Sequence, residues 1–373
     1  MKPPPRQPKN DKPKEERSGK ILKFVETDDT GSHTGRTASF SDVEFKPLQY
    51  VHLSSLKSGN KVTIPLRWEN ASISESNIPE VKAGDFASAA TMLETLYSPK
   101  TIGLVKGGWL PAGIALQNNI TVLPDRCTIS ELKARFSGGA KRKEDKDFLD
   151  FFADHPVRIN PLLFAIESNI RTIPTPDLIE QQLDEARSKI KSALPQAELV
   201  PDRSGGLRGA LGIVRDSSID LARKGQFLAS IAPKFRSPIS SKRRQETWKQ
   251  VLIAANSYDI PKHSLVVIAA LSAIAVPNGK SPARRLLKFS NQQYSPSDAY
   301  NALSDLRSLE ILMRLFGLFP NEKILLCTGD KDLALFWCGI RASDFTFKGD
   351  IFSCKISPIE ELIPDIGSDY DFR

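Results

Sequence analysis

The sequence is poor in the residues that build soft-metal and oxidised sites. Its four cysteines, Cys127, Cys327, Cys338 and Cys354, form no C-x-x-C pair, and its four histidines, His33, His52, His155 and His263, form no H-x-x-x-H or mixed Cys/His group. This argues against a structural zinc or zincin site and gives no ground for disulfides. A reducing cytoplasm is the expected compartment. Long hydrophobic runs are missing too, since the longest, Leu265 to Val276, has about twelve residues, short of the ~20 needed to cross a bilayer. The glycine-rich stretch Gly205-Gly206-Leu207-Arg208-Gly209 lacks the lysine and hydroxyl of G-x-x-x-x-G-K-[S/T], so it is not a phosphate-cradling P-loop. No repeat of solenoid length recurs.

What the chain does have is enough apolar material for a substantial core, with 373 residues of which 40% are hydrophobic. That suits two domains, or one domain with large insertions. The net charge of +8 fits an acidic partner such as nucleic acid. Much of it is local, because residues 1 to 24 hold eight lysines and arginines against three acids, among prolines. Composition therefore predicts a disordered basic tail and linker over residues 1–41. An N-terminal α+β extension is expected over 42–114, with strands at Leu48–Leu53 and Lys61–Trp68 and a helix at Ala87–Tyr97. Residues 115–373 read as an α/β domain with a helical insertion at about 202–290, in which Gly205 to Gly209 breaks the helical pattern.

Two stretches of the α/β domain share one design. Lys323-Ile324-Leu325-Leu326-Cys327 is a compact apolar run that ends at Thr328-Gly329-Asp330-Lys331-Asp332, and Ile120-Thr121-Val122-Leu123-Pro124 ends at Asp125 before a helix start at Thr128 to Glu131. In an open α/β sheet the carboxyl ends of strands are where ligands bind. Between these runs, Pro161 to Glu167 reads as an apolar helix carrying one acid. Upstream of the second run, Leu306, Leu309, Met313 and Phe316 recur at helical spacing from a start at Pro296, and Asp298, Asn301 and Asp305 fall on one side. Asp298 fits the first turn. Each acid also has a plain structural reading: Asp125 as a helix cap, Asp330 as a turn residue, Asp305 as an exposed helix residue.

In their order, Val122-Leu123-Pro124-Asp125, Ala165-Ile166-Glu167, Ser304-Asp305-Leu306 and Cys327-Thr328-Gly329-Asp330-Lys331-Asp332 resemble the PIN-domain nuclease superfamily. The resemblance implies a PIN-like parallel sheet flanked by helices, with Asp125, Glu167, Asp305 and Asp330 converging as catalytic metal ligands. It departs from the family in spacing, since Asp305 lies 138 positions beyond Glu167. By the same resemblance Asp125 and Asp330 bind the ion from the strand ends, Glu167 and Asp305 complete the site directly or through water, and Asp332 is a spare ligand or an acid behind the ligands. Thr328 would hold the Asp330 loop with its hydroxyl.

Clustered acids suit metal-assisted phosphodiester hydrolysis on physical grounds. Two carboxylates about 4 Å apart repel by roughly 4 kcal/mol at an effective dielectric of about 20, so a cluster needs protons or cations, and Mg²⁺ or Mn²⁺ supplies the latter. The expected partner is RNA or another single-stranded nucleic acid, as for toxins and defence nucleases of this design. An inhibitory protein partner or a second copy of the chain is also open. Two basic segments are candidates for phosphate contact: the loop Lys141-Arg142-Lys143, and Lys242-Arg243-Arg244 with Trp248 one turn on as a stacking platform. Each equally suits a solvated surface, as does the cluster Arg284-Arg285-Lys288. The alternative to a nuclease is a catalytically inert PIN-like module that binds RNA or protein, and an unrelated α/β regulatory domain is a third reading.

Overall fold

The computed structural model describes residues 22–41, 43–57, 61–96, 102–116, 120–144, 147–153, 156–291 and 293–364. The expected tail up to residue 21, and His155, lie outside them. Among the described residues, those from 22 to 44 with 67–89 make one compact unit, and those of 45–66 with 90–364 make another.

The smaller unit is built on antiparallel strands. β1 (Leu22–Thr27) turns back into β2 (His33–Ser41), which pairs with the far half of β4 (Lys61–Ser76), and β5 (Phe86–Leu96) also lies on β4. The two-residue strand β3 (Glu44–Phe45) precedes β4. Residues 22–41, expected as linker, are therefore strands. Their turn is closed by Asp28, whose carboxylate accepts from the amides of Thr30 and Ser32 at 2.9 Å each, as short acidic side chains do in turns. Of the Ala87–Tyr97 segment, expected as a helix, residues 87–96 are extended because pairing with β4 decides their conformation, and Tyr97 lies outside the described residues. Local propensity loses to a non-local ladder.

In the larger unit, α1 (Tyr50–Ser54) occupies most of the stretch expected as the first extension strand. Only Leu48 joins a ladder, exchanging both backbone hydrogen bonds with Trp109 at 2.8 and 3.0 Å. Gly108 makes this possible, since a Cβ there would stand 2.2 Å from the Leu48 carbonyl oxygen. β6 (Ile102–Val105) and β7 (Gly108–Pro111) form a tight hairpin, followed by α2 (Ala112–Ala115). Next come β8 (Thr121–Pro124), α3 (Arg126–Arg135), the short hairpin β9 (Phe136–Ser137) and β10 (Ala140–Lys141), β11 (Arg158–Ile159), α4 (Leu162–Glu167), α5 (Pro176–Ala193) and β12 (Glu198–Leu199).

A helical insertion follows, with α6 (Arg203–Ile231), α7 (Ser241–Ser257), α8 (Leu265–Ala275) and α9 (Pro282–Leu286). α10 (Pro296–Leu318), β13 (Ile324–Thr328), α11 (Lys331–Ile340) and the hairpin β14 (Ser343–Lys348) and β15 (Ile351–Lys355) complete the chain. Every residue of α8 is buried, which is why its sequence is apolar on all sides. Gly205 to Gly209 do not interrupt α6, whose start is capped by Asp202 accepting from the Gly205 amide at 2.9 Å. Among the described residues no helix is long and apolar enough to cross a membrane.

The central sheet has the order β12-β11-β8-β13-β6-β7. The first four strands run parallel, as the apolar runs ending in acids predict, and β8 and β13 are buried along their whole length. The other two are antiparallel, so the sheet is mixed rather than wholly parallel. The Gly107-Gly108 turn accounts for the β6–β7 pairing, because so short a connection can only reverse the chain.

Candidate functional site

The parallel register of β8 and β13 sets the site. Val122 faces Leu325 and Pro124 faces Cys327, so both strands end level with each other. Asp125 then leaves β8 with its amide bonded to the Cys327 carbonyl at 3.0 Å, and Thr128 Oγ1 donates to that same carbonyl at 3.0 Å. Each strand runs directly into a helix whose first amides need acceptors. Asp125 caps α3 by accepting from the Thr128 amide at 2.6 Å, and Asp330 caps α11 by accepting from the Asp332 and Leu333 amides at 2.7 and 3.0 Å. Thr328 ties the second loop, its Oγ1 accepting from the Asp330 amide at 3.0 Å. The same hydroxyl bonds the Asp125 carboxylate, linking the two strand ends through side chains.

Glu167 is the last residue of α4, and its Oε2 accepts from the Arg126 amide at 3.3 Å, so a second carboxylate sits at the start of α3. Asp305 comes from the middle of α10, where Asn301, Asp305 and Ser308 lie on one helical face. Asp298, two turns nearer the helix start, belongs to a capping box in which it and Ser295 bond each other's amides.

Asp125, Glu167, Asp305 and Asp330 all line one open cavity of about 840 Å³. Their electrostatics agree with that placement. Burial raises the Asp125 carboxyl despite the bonds from Thr128 and Thr328. Burial first, and Asp125 next, push Glu167 up to about 7. Asp305 is raised well above the usual carboxylate range by burial and then by Asp330, with Lys288 opposing. Cys127, at the cavity wall, has its thiol pushed up to about 11 by burial and then by Asp125. Asp125 therefore acts on Glu167, and Asp330 on Asp305, across one space.

The donors are hard oxygens throughout, which fits Mg²⁺ or Mn²⁺ and not a soft metal. Among the described residues no three of them yet form a closed ligand set around one point. The hydrogen bonds give the reason: Asp125, Glu167 and Asp330 each turn one oxygen to a helix amide, and Asp305 is drawn 3.7 Å from the Lys288 ammonium.

The other sequence-level candidates fall elsewhere. Asp332 is not among the cavity's lining residues, and its two oxygens accept from Arg285 at 2.5 and 2.8 Å. Lys141 pairs with Asp150 and Lys143 with Glu131, both at 2.7 Å, while Arg142 stays exposed. Glu131 does line the cavity, so Lys143 reaches its rim. Lys242 and Arg243 are exposed and Arg244 half-buried in the first turn of α7, and none lines the cavity. Trp248 is only 2% exposed and belongs to the core, so it is no stacking platform.

Arg126, Arg171, Lys288 and Lys331 also line the cavity without having been singled out for it in the sequence. Asn301 and Ser308 were within reach of helical phase from Asp305. Arg171 and Lys288 were not, because both take left-handed backbone, φ 55 and 59, at positions no periodicity marks. No family model, no curated protein and no solved structure matches the chain, so the functional reading rests on this geometry.

Proposed function

We propose that the chain is a metal-dependent nuclease of PIN-like design that hydrolyses phosphodiester bonds in RNA or single-stranded nucleic acid. The observation that carries this reading is the shared cavity of Asp125, Glu167, Asp305 and Asp330 at the carboxyl ends of two parallel strands. Acids brought from positions 125 to 330 into one half-buried space are costly to the fold, and a divalent cation is what makes such an arrangement stable.

Asp125 and Asp330 would hold the ion, each with the carboxylate oxygen left over from helix capping, and Glu167 and Asp305 would close the set. A bound Mg²⁺ or Mn²⁺ supplies Lewis-acid polarisation of a phosphoryl oxygen and acidification of a water. Glu167, whose proton is held in the metal-free protein by burial and by Asp125, would give that proton up when an ion binds beside it. The openness of the cavity to solvent suits an extended strand, and Arg171 and Lys288 on its wall suit phosphates.

The test is cleavage of a short end-labelled single-stranded RNA or DNA. Wild-type protein should cut only with Mg²⁺ or Mn²⁺, and Asp125→Asn and Asp330→Asn should each lower the rate by at least about 100-fold. Cleavage persisting in excess chelator, or surviving both substitutions, refutes it.

A further inference from the structure

The cavity wall carries four cations, and their surroundings separate them. Arg126 lies over the Phe164 ring at 4.0 Å, and its guanidinium donates to the Phe164 carbonyl and to Gln182 at 3.3 and 3.0 Å. Lys331 donates to the carbonyls of Ser54 and Leu56. Arg171 reaches the Ser297 hydroxyl at 3.4 Å. Lys288 differs from all three. Among the described residues its ammonium makes no hydrogen bond, and its one ion pair is with Asp305, at 3.7 Å.

The position of Lys288 is built by the fold. α9 ends at Leu286, the chain turns through Lys288 in left-handed backbone, φ 59, and the Lys288 amide donates to the Arg285 carbonyl at 2.9 Å. Glycine or asparagine is the ordinary occupant of such a helix end. A lysine there accepts a disfavoured backbone conformation, and such strain gathers at functional positions. The next residue, Phe289, stacks on Phe235 with ring centroids 4.2 Å apart and is 2% exposed, so the backbone beside Lys288 is anchored in the core. The ammonium is therefore delivered by a fixed stem and keeps unused donors facing the cavity. It arrives from the helical insertion, which thereby contributes to the acid site.

We propose that Lys288 is the second cation of this site: it neutralises Asp305 where a two-ion centre would place another metal, and it offers its remaining protons to a phosphate oxygen of the bound strand. The proposal rests on the metal-dependent reading above and narrows it to one divalent ion per chain. An ammonium beside Asp305 repels a further divalent ion from that side, and its point charge with three donors suits a phosphate oxygen.

Calorimetric titration of Mn²⁺ into metal-free protein tests this without substrate. Wild type should take up one ion per chain and Lys288→Arg should do the same. Lys288→Met, close in length but uncharged, should take up two ions or bind the first at least about fivefold more tightly. In cleavage assays Lys288→Met should raise KM about tenfold more than Lys288→Arg. Two ions bound by wild type would overturn the proposal, whether or not the methionine variant folds. So would one ion on Lys288→Met with affinity within twofold of wild type. Asp330→Asn separates the two levels of inference: unchanged Mn²⁺ affinity in that variant removes the metal site itself, and the proposal with it, whereas weakened affinity leaves the site standing whatever Lys288 does.

Discussion

Arg307 Nη2 donates to the backbone carbonyl of Ile166 at 2.5 Å. The bond joins α10, two residues beyond Asp305, to α4, one residue before Glu167, and Arg307 itself is 3% exposed. Two acids far apart in sequence are thus held in register by one buried guanidinium. The Tyr300 hydroxyl reaches the same carbonyl at 3.4 Å. Arg307→Met should cost about 2 kcal/mol in urea unfolding, the usual range for a charged hydrogen bond lost from the interior. It should also shrink the rise in melting temperature on adding Mn²⁺, because Glu167 and Asp305 are no longer set against each other. Full stability with an intact Mn²⁺ response would mean that packing alone positions the two helices.

Asp332 tests how far the resemblance can be carried residue by residue. It lies outside the cavity and is held by Arg285, whose side chain is 49% exposed. Asp332→Ala should therefore cost no more than about 1 kcal/mol, and the Mn²⁺-induced shift should match wild type. If Asp332→Ala abolishes that shift as fully as Asp330→Asn does, Asp332 is a ligand and its pairing with Arg285 is given up when the ion binds.

Stability of the metal-free protein should fall as pH rises. The Glu167 carboxyl is raised to about 7 by burial and by Asp125, above the usual 4.5, so the folded state holds this proton more tightly than the unfolded chain. The resulting stabilisation is complete below about pH 4.5 and is lost as pH climbs through about 7. At about 1.4 kcal/mol per pKa unit, the loss is at most about 3 kcal/mol, less whatever solvent screens. Asp125 and Asp305 are shifted in the same direction. Melting temperatures in chelator between pH 5 and 8 measure this, and Glu167→Gln should flatten the slope. A metal-free protein that gains stability over that interval would contradict the raised carboxyls.

The two strand ends and their acids were legible in the sequence because short buried strands leave continuous apolar runs, and Asp125 and Asp330 follow directly upon them. Asp298 was told from Asp305 by its place in the first turn and not by phase, since both fall on one side of the helix. The choice between cap and site residue was not legible, since Asp125 and Asp330 are both: each caps a helix start and each lines the cavity. The strand at Phe86–Leu96 was hidden because its pairing partner, not its alanines, decides it. Lys288 was hidden for a related reason, as its place depends on the turn after α9 and on the core around Phe289.

Asp305 and Asp298 offer the sharpest contrast, seven residues apart on one helix with opposite electrostatics. Asp305 is raised, by burial and then by Asp330, whereas Asp298 is lowered by bonds from Ser295 and Asn291 that outweigh its burial. Asparagine in place of Asp305 removes a charge the other acids repel, so Asp305→Asn should raise the melting temperature in chelator and reduce the Mn²⁺ shift. Its gain is bounded at a few kcal/mol, roughly the repulsion between one carboxylate pair, and the loss of the Lys288 contact subtracts from it. Asp298→Asn should do the reverse, costing about 1 kcal/mol through the weakened capping box and leaving the Mn²⁺ shift unchanged. Thermal melts of both variants, with chelator and with saturating Mn²⁺, give four numbers. Destabilisation of the chelated protein by Asp305→Asn would show that its pairing with Lys288 outweighs repulsion from the other acids, and the crowded-carboxylate account of the cavity would fail at that residue.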